Sequence, residues 1–490
     1  MSTTIQLTPT SRVRFGLARV DVTPPVGIYH PMWGAARHQR AAGIHRPLTA
    51  EVMIFAAAEG TDASLIRVEI DHVGMTDEQQ AKLVQTVSHA GNVPAENVLT
   101  TFSHSHSPGY FAPDRIHLPG GELIEPYLQE VYAKIAAATR QARNSVQPAI
   151  ITYGAGHCNL AANRDYWDAE RGIYACGFNP AAKADDTVIV ARITNLEGTM
   201  IATIVNYACH PTTLAWENTL ISPDYIGAMR EVVEQVTGAP CIFALGACGD
   251  LGPRWGQQGD VAVADSNGRQ LGYATLATLD SMSPPLMDYQ YQGPVISGAT
   301  LGDWRHKPLT AERLAQTALF KGGTYVVDLP QKPLPDPVAL EAEMEEWGTK
   351  QQEADKQGDT IAARDYGARL ERARRWLLRV RYLIDRPTYP FHYSVYRIGD
   401  AFWITTGGEP YSVFQTELRS RFPEHPILVS PLAGEFQAAY LLPSDRYGKG
   451  LYQEEPSILA QGCLEILIEA VAERIEALRN NSTTNAERSE

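Results

Sequence analysis

The sequence predicts an α/β protein, on three observations. Apolar strand patterns alternate with amphipathic helical ones along the chain. Several strands run straight into loops that carry a His, a Gly or an acid just past the strand end. The 490 residues are 44% hydrophobic and 20% charged, ordinary for a globular protein with room for two average domains or one large one with insertions.

In chain order, residues 1–12 are polar. VRFGLARVDV, 13–22, alternates as a strand and is closed by Thr23, Pro24, Pro25 and Gly27. A Gly- and His-rich loop leads to a strand at 50–57 and an apolar run at 64–75, followed by a helix at 77–90. NVLTTFSHSHSPGY, 97–110, reads as a buried strand, 98–102, running out into a loop at Ser107, Pro108 and Gly109. Side chains alternate on an extended chain, so His104 and His106 fall on one face. Two imidazoles there can bind a metal together, divide metal binding from proton transfer, or be ordinary polar residues at a loop mouth. A helix follows at 127–142.

Residues 149–160 and 187–209 are strand-rich, and the second stretch ends at His210-Pro211, with a helix starting near Asp224 or Tyr225. CIFALGACGDLGPR, 241–254, repeats the plan of an apolar strand and a Gly-rich turn; it is no P-loop, and Asp250 can hold the turn, face a site or bind substrate. Residues 283–335 are proline-rich and read as irregular. Residues 336–385 read as an αα-hairpin: an acidic helix through Met344 and Trp347, a break at Gly358-Asp359, and a basic helix through Leu370 and Trp376. Its charges read as a solvated face, and the hairpin as an insertion serving as a cap or as the contact of a homo-oligomer. A strand hairpin at 391–398 and 401–406 turns at Gly399-Asp400; Glu409 follows it, and a helix starts around Tyr411. Another strand, a loop with Tyr440, Tyr447 and Tyr452, a helix at 457–478 and a polar tail, 481–490, expected to be disordered, complete the chain.

The net charge of −14 and the lack of a basic block argue against nucleic acid and against an anionic membrane surface. The start MSTTIQLTPTSRVRFG has no apolar stretch of the secretory kind, and no run approaches the roughly 20 apolar residues of a membrane span. The expected location is the cytoplasm, with no stable membrane association. Six cysteines without C-x-x-C spacing are expected to be reduced core thiols.

Four polar positions stand at or after strand ends: His104, His210, Glu409 and Tyr440. Two imidazoles and a carboxylate are the usual ligands of a catalytic zinc that keeps one position open. They are far apart in sequence, and spacing alone does not bring them together.

Taken in order, several segments resemble the neutral (non-lysosomal) ceramidase family, zinc amidases that split N-acylsphingosine into fatty acid and base. They are FGLARVDVTPPVG with MWGAARHQRAAGIHRPLTAEVMIF, SHSHSPG, NRDYW, NYACHPTTLAWENTLISPDYIGAM, GACGDLGP, GGEP, and the spacing of Tyr440, Tyr447 and Tyr452. The likeness runs from about residue 14 to 460, interrupted at 284–390. It implies mixed β-sheets flanked by helices, with the site at one sheet end. It implies one Zn2+ per chain held by His104, His210, Glu409 and Tyr440, and His106, Arg164 and Tyr452 lining the site. The expected organisation is a catalytic domain at 13–283 and 388–480, with an insertion at 284–387 that contains the 336–385 hairpin.

The departures from the family are specific. The loop after His106 is one Gly shorter, and Tyr452-Gln453-Glu454-Glu455-Pro456 replaces the family's ending there. The family's secretory or anchored start and its trailing β-sandwich are expected to be absent. The expectation is therefore a zinc-dependent amidase acting on a small soluble molecule rather than membrane ceramide. An ester or lactone hydrolase, for instance on a sugar-acid lactone, is the alternative, and a non-catalytic scaffold ranks below both.

Overall fold

Two β-sheets packed on each other, with helices on the outer faces, form the body of the protein. The computed structural model describes residues 4–59, 63–434 and 436–480; the tail expected to be disordered lies outside the described residues. The larger sheet has eight strands, in the order Cys241–Leu245, Met200–Tyr207, Thr187–Thr194, Gln147–His157, Thr10–Asp21, Thr49–Ala57, Ser64–Ile70, Val98–Phe102. Its interior pairs are antiparallel, and the outermost pair at each edge is parallel.

Parallel neighbours need a crossover, and helices supply it. One face of this sheet is covered by α1 (Asp77–Gly91), α2 (Ile124–Asn144), α3 (Tyr225–Thr237) and α4 (Val261–Ser281). α1 links the parallel pair at one edge and α3 the pair at the other. α1 starts at a reciprocal cap, the Thr76 hydroxyl accepting from the Gln79 N–H while the Gln79 side chain accepts from the Thr76 N–H. Leu83, Val87, Leu128, Ile135 and Met229 from these helices bury against Val52, Ile54, Ile66 and Val68 of the sheet.

The opposite face, carrying Phe15, Phe55, Ile151 and Ile204, packs on Tyr396, Trp403 and Leu428 of a second sheet. That sheet has the order Phe320–Pro330, Thr388–Ile398, Ala401–Thr406, Ile427–Ser430. The chain reaches it through the short α5 (Ala311–Thr317) and makes its excursion through α6 (Pro337–Gln357) and α7 (Thr360–Val380). α8 (Val413–Arg421) crosses between its parallel strands, and α9 (Cys463–Arg479) covers its outer face.

The larger sheet is strongly curled. Arg19, four positions in from the edge strand, donates to the Cys241 carbonyl on that strand at 2.7 Å. The 241–245 strand also lies beside 64–70 and 98–102 at the opposite edge. Strand ends that a flat sheet would hold far apart therefore meet.

One expectation changes. Residues 283–335 are not irregular: Met287–Ser297 pairs with Ala299–Pro308, and Phe320–Pro330 pairs along its length with Thr388–Ile398. Pro308 and Pro330 end their strands and Pro294 sits beside a bulge, places where a missing N–H is tolerated. Within the stretch 284–387, expected as an insertion, the 320–330 strand forms an edge of the second sheet. The helical hairpin is as expected, with Gly358 in the left-handed region at its turn, φ +73°. Among the described residues no helix is long and apolar enough to cross a membrane.

Candidate metal centre

His104 follows the 98–102 strand, His210 the 200–207 strand, the Cys248–Asp250 turn the 241–245 strand, and Glu409 the 401–406 strand. The centre thus forms at the carboxyl ends of strands from both sheets, where open α/β sheets place their ligands. Gly249 permits the close approach: a Cβ there would lie 2.7 Å from the Glu409 carbonyl oxygen.

His104, His210 and Glu409 are buried and present one ligand atom each within 4.8 Å of one another. His210 Nδ1 lies 2.7 Å from the Cys248 carbonyl oxygen and 3.1 Å from that of Leu251. His104 Nδ1 lies against the Val73 carbonyl oxygen. Only an N–H makes such contacts, so in the neutral ring Nε2 carries the lone pair. Nε2 of His210 and of His104 point at Glu409 Oε2, at 2.8 and 3.3 Å. Burial pushes the His210 pKa down to about 4, so that imidazole is uncharged at neutral pH. Burial alone would raise the Glu409 carboxyl, but the flanking His104 and His210 hold it well below the usual range, ionised. With both Nδ1 atoms turned outward onto backbone carbonyls, the two Nε2 atoms and Glu409 Oε2 converge on one point, a geometry that a cation would fit. Neutral imidazole and ionised carboxylate are also the protonation states that ligation requires.

His106 reaches the centre by a route other than the expected alternation. The strand ends at Phe102, and His104 adopts φ +61°, which breaks the extended path. The chain folds back and sets His106 Nε2 3.4 Å from His104 Nε2, with its ring against Trp33. Burial, then the neighbouring His104 and His210, keep His106 well below its ordinary pKa.

The Tyr440 ring stacks on His210, centroids 6.2 Å apart. Burial first, then Glu409, raise its phenol well above the ordinary value. Arg164 lies over the Tyr440 ring at 5.4 Å and donates from Nε and Nη2 to the Gly249 carbonyl. Among the described residues it pairs with no carboxylate. Tyr452 packs 5.8 Å from Tyr440 and is 51% exposed. His104, His106, Arg164, Glu409, Tyr440 and Tyr452 line one cavity of about 590 Å³, with His210 behind the wall. Asp250 has the structural role: its carboxylate accepts from the Ser412 N–H at 2.6 Å and hydroxyl at 2.9 Å. The six cysteines are unpaired thiols, and none joins the metal-binding group.

Sequence reasoning did not place Trp33, Trp216 or the inner face of α7 at the site. Glu371, Arg375, Trp376 and Arg379 of that helix line the cavity, so this face is not a solvated one. Their signal was the i, i+4 repeat of Glu371, Arg375 and Arg379 on one helix face, which marks a face without saying what it meets.

Residues 13–248 match the family model described as neutral/alkaline non-lysosomal ceramidase, N-terminal. The chain is similar to a neutral ceramidase of Pseudomonas aeruginosa, 24% identical over 248 residues, which cover 49% of this chain and 37% of the relative. It is similar to neutral ceramidase A of Dictyostelium discoideum, 26% identical over 237 residues, covering 46% of this chain and 32% of the relative. The chain thus spans about a third of the length of the curated relatives it matches. In fold it is similar to the crystal structure of the Pseudomonas aeruginosa neutral ceramidase, with TM-score 0.62 and 19% identity over 97% of this chain and 75% of that one. It is similar also to a ceramidase complexed with C2, with TM-score 0.63 and 16% identity over 96% of this chain and 76% of that one.

Proposed function

Residues 13–248 place this chain in the neutral/alkaline non-lysosomal ceramidase family, and from that premise we propose that it is a zinc-dependent hydrolase of acyl amides. The observation that carries the reading is the convergence of His104 Nε2, His210 Nε2 and Glu409 Oε2 on one buried point. One zinc ion per chain would be held by these three, with Tyr440 beside them as the fourth group. Bound there, zinc polarises a carbonyl and brings the pKa of a water to about 7.

The remaining chemistry falls to the chain's own side chains. The Val73 and Cys248 carbonyls fix the tautomer and aim of the two imidazoles. Arg164 and Tyr452 are donors at the cavity wall and stabilise the oxyanion that forms when water adds to the amide carbon. His106, neutral and adjacent, takes the proton from water and returns it to the departing amine. The products are a carboxylate and an amine.

The cavity's volume, about 590 Å³, lies within the usual range for small-molecule sites, in favour of a small soluble substrate over a bilayer lipid. Six unpaired cysteines fit a reducing compartment such as the cytoplasm.

The test is a panel of N-acyl amides with the matching esters and lactones. It is run on the protein as purified, after chelation, and after zinc is restored, alongside His104→Ala and His210→Ala. Amide hydrolysis and metal content are expected to be lost together in both variants. Full activity after stoichiometric loss of metal overturns the reading, and exclusive turnover of esters or lactones moves it to that bond class.

A further inference from the structure

The outer wall of the cavity has a chemistry of its own. Arg375 and Arg379 of α7 line the same hollow as His104 and Glu409. Glu371, on the same helix face, is already neutralised by the wholly buried Arg115, which donates to its two oxygens at 2.7 and 2.8 Å. Arg375 shares that carboxylate, its Nε 2.7 Å from Oε1. Arg379 meets no carboxylate oxygen among the described residues. Its guanidinium lies 4.3 Å over the Trp376 ring and donates to the Pro456 carbonyl at 2.7 Å and to that of Gln437, while its buried Nε has no partner among the described residues. Burial brings its pKa down to about 10, a sign that the hydration it gave up is not fully replaced within the protein.

Arg164, Arg254 and Arg372 join these two at the cavity, against Glu371, Glu409 and Glu455 as its only carboxylates among the described residues. Glu455 is taken by Arg372, and Glu409 belongs to the metal centre. The hollow is therefore cationic in a chain whose net charge is −14. A cationic recess with low-dielectric walls concentrates anions, and a planar guanidinium suits a carboxylate. A wholly neutral ligand would enclose Arg379 and leave it without a carboxylate, at a cost in free energy.

We propose that the substrate is an acyl amide that itself carries a carboxylate, held by Arg375 and Arg379 while the amide lies at the metal centre. The amide half rests on the hydrolase reading above; the carboxylate half rests on α7 alone.

The test uses N-hexanoylglycine and N-hexanoylglycinamide, nearly equal in size and different in charge. Calorimetry on the chelated 490-residue chain reads binding without turnover, and kcat/KM is read on the zinc-loaded chain. The acid is expected to bind about tenfold or more tighter than the amide and to show a similar preference in kcat/KM. In Arg379→Gln and Arg375→Gln that preference shrinks to about threefold or less, chiefly through KM, and Arg379→Lys restores part of it. Equal binding of the two compounds, or binding of neither, overturns the proposal. Preferential binding of the acid without turnover of either compound supports the carboxylate site and removes the hydrolase reading. Turnover of both without preference does the reverse.

Discussion

Glu409 and Tyr440, far apart in sequence, are register partners in a two-residue parallel ladder, and the Glu409 N–H donates to the Ala439 carbonyl at 2.7 Å. Facing partners on adjacent strands present side chains to the same side. The ladder thus delivers a carboxylate and a phenol to one cavity through backbone hydrogen bonds. Gly408 makes it possible: it has φ +57°, and a Cβ there would lie 2.6 Å from the Ala439 oxygen.

Because backbone forms the ladder, Tyr440→Phe keeps the fold and removes only the phenol. Zinc affinity, read by competition with a chromogenic chelator, is expected to fall about 10- to 100-fold, as when a supporting group is lost from a metal site. The thermal midpoint of the chelated protein should stay near the parent's. Unchanged affinity with full activity would put the phenol outside the centre.

Gly249→Ala tests the close contact between the two sheets at the site. The new Cβ would lie 2.7 Å from the Glu409 oxygen and 3.0 Å from the Tyr411 ring. Backbone must move, at about 1–3 kcal/mol of stability. The atom displaced belongs to the residue that supplies a ligand, so metal content is expected to fall further than the midpoint does. Elemental analysis beside thermal melts separates the two effects.

Much of the centre was legible because a buried strand followed by a polar residue stands in the sequence itself, as at His104, His210 and Glu409. The meeting of those strand ends was not legible, since it depends on the curl that brings Arg19 onto Cys241. Local pattern also hid α4. Gly268 and Gly272 dilute its helical signal, and they are there because α4 presses on α3: a Cβ at Gly268 would lie 2.1 Å from the Tyr225 oxygen. The α6–α7 hairpin was plain from its charges and the Gly358 break. What α7 faces was not, since a run of arginines at helical spacing is the same string over water as over a cavity.

Metal should stabilise the fold as well as activate it. His210 Nε2 and Glu409 Oε2 lie 2.8 Å apart in the folded chain, and a cation bound by both would favour the folded state, which alone brings them together. Free zinc at about a thousand times its dissociation constant is expected to add ~4 kcal/mol by mass action. Melts of chelated protein over a zinc series should show the midpoint climbing with concentration, and a flat series in His210→Ala. A flat series in the parent would mean that the three groups do not act together.

The contact that seats the cap should show in the pH dependence of stability. Glu371 is nearly enclosed; burial alone would raise its carboxyl, but Arg375 and Arg115 pull it from 4.5 to about 2. The folded value lies below the unfolded one, so the stabilisation is complete above about 4.5 and fades as pH falls toward about 2. That shift corresponds to ~3 kcal/mol. Glu371→Gln keeps the shape but leaves buried Arg115 with only Asp114, 3.3 Å from its Nε, as counter-charge, at about 3 kcal/mol near neutral pH. Midpoints of parent and variant should lie well apart at neutral pH and converge as the medium is acidified below the ordinary glutamate range. Because α7 forms the cavity wall, the variant should also show a higher KM at neutral pH, where the fold persists. Parallel midpoint curves would mean that the Arg115–Glu371 pair does not hold the cap in place.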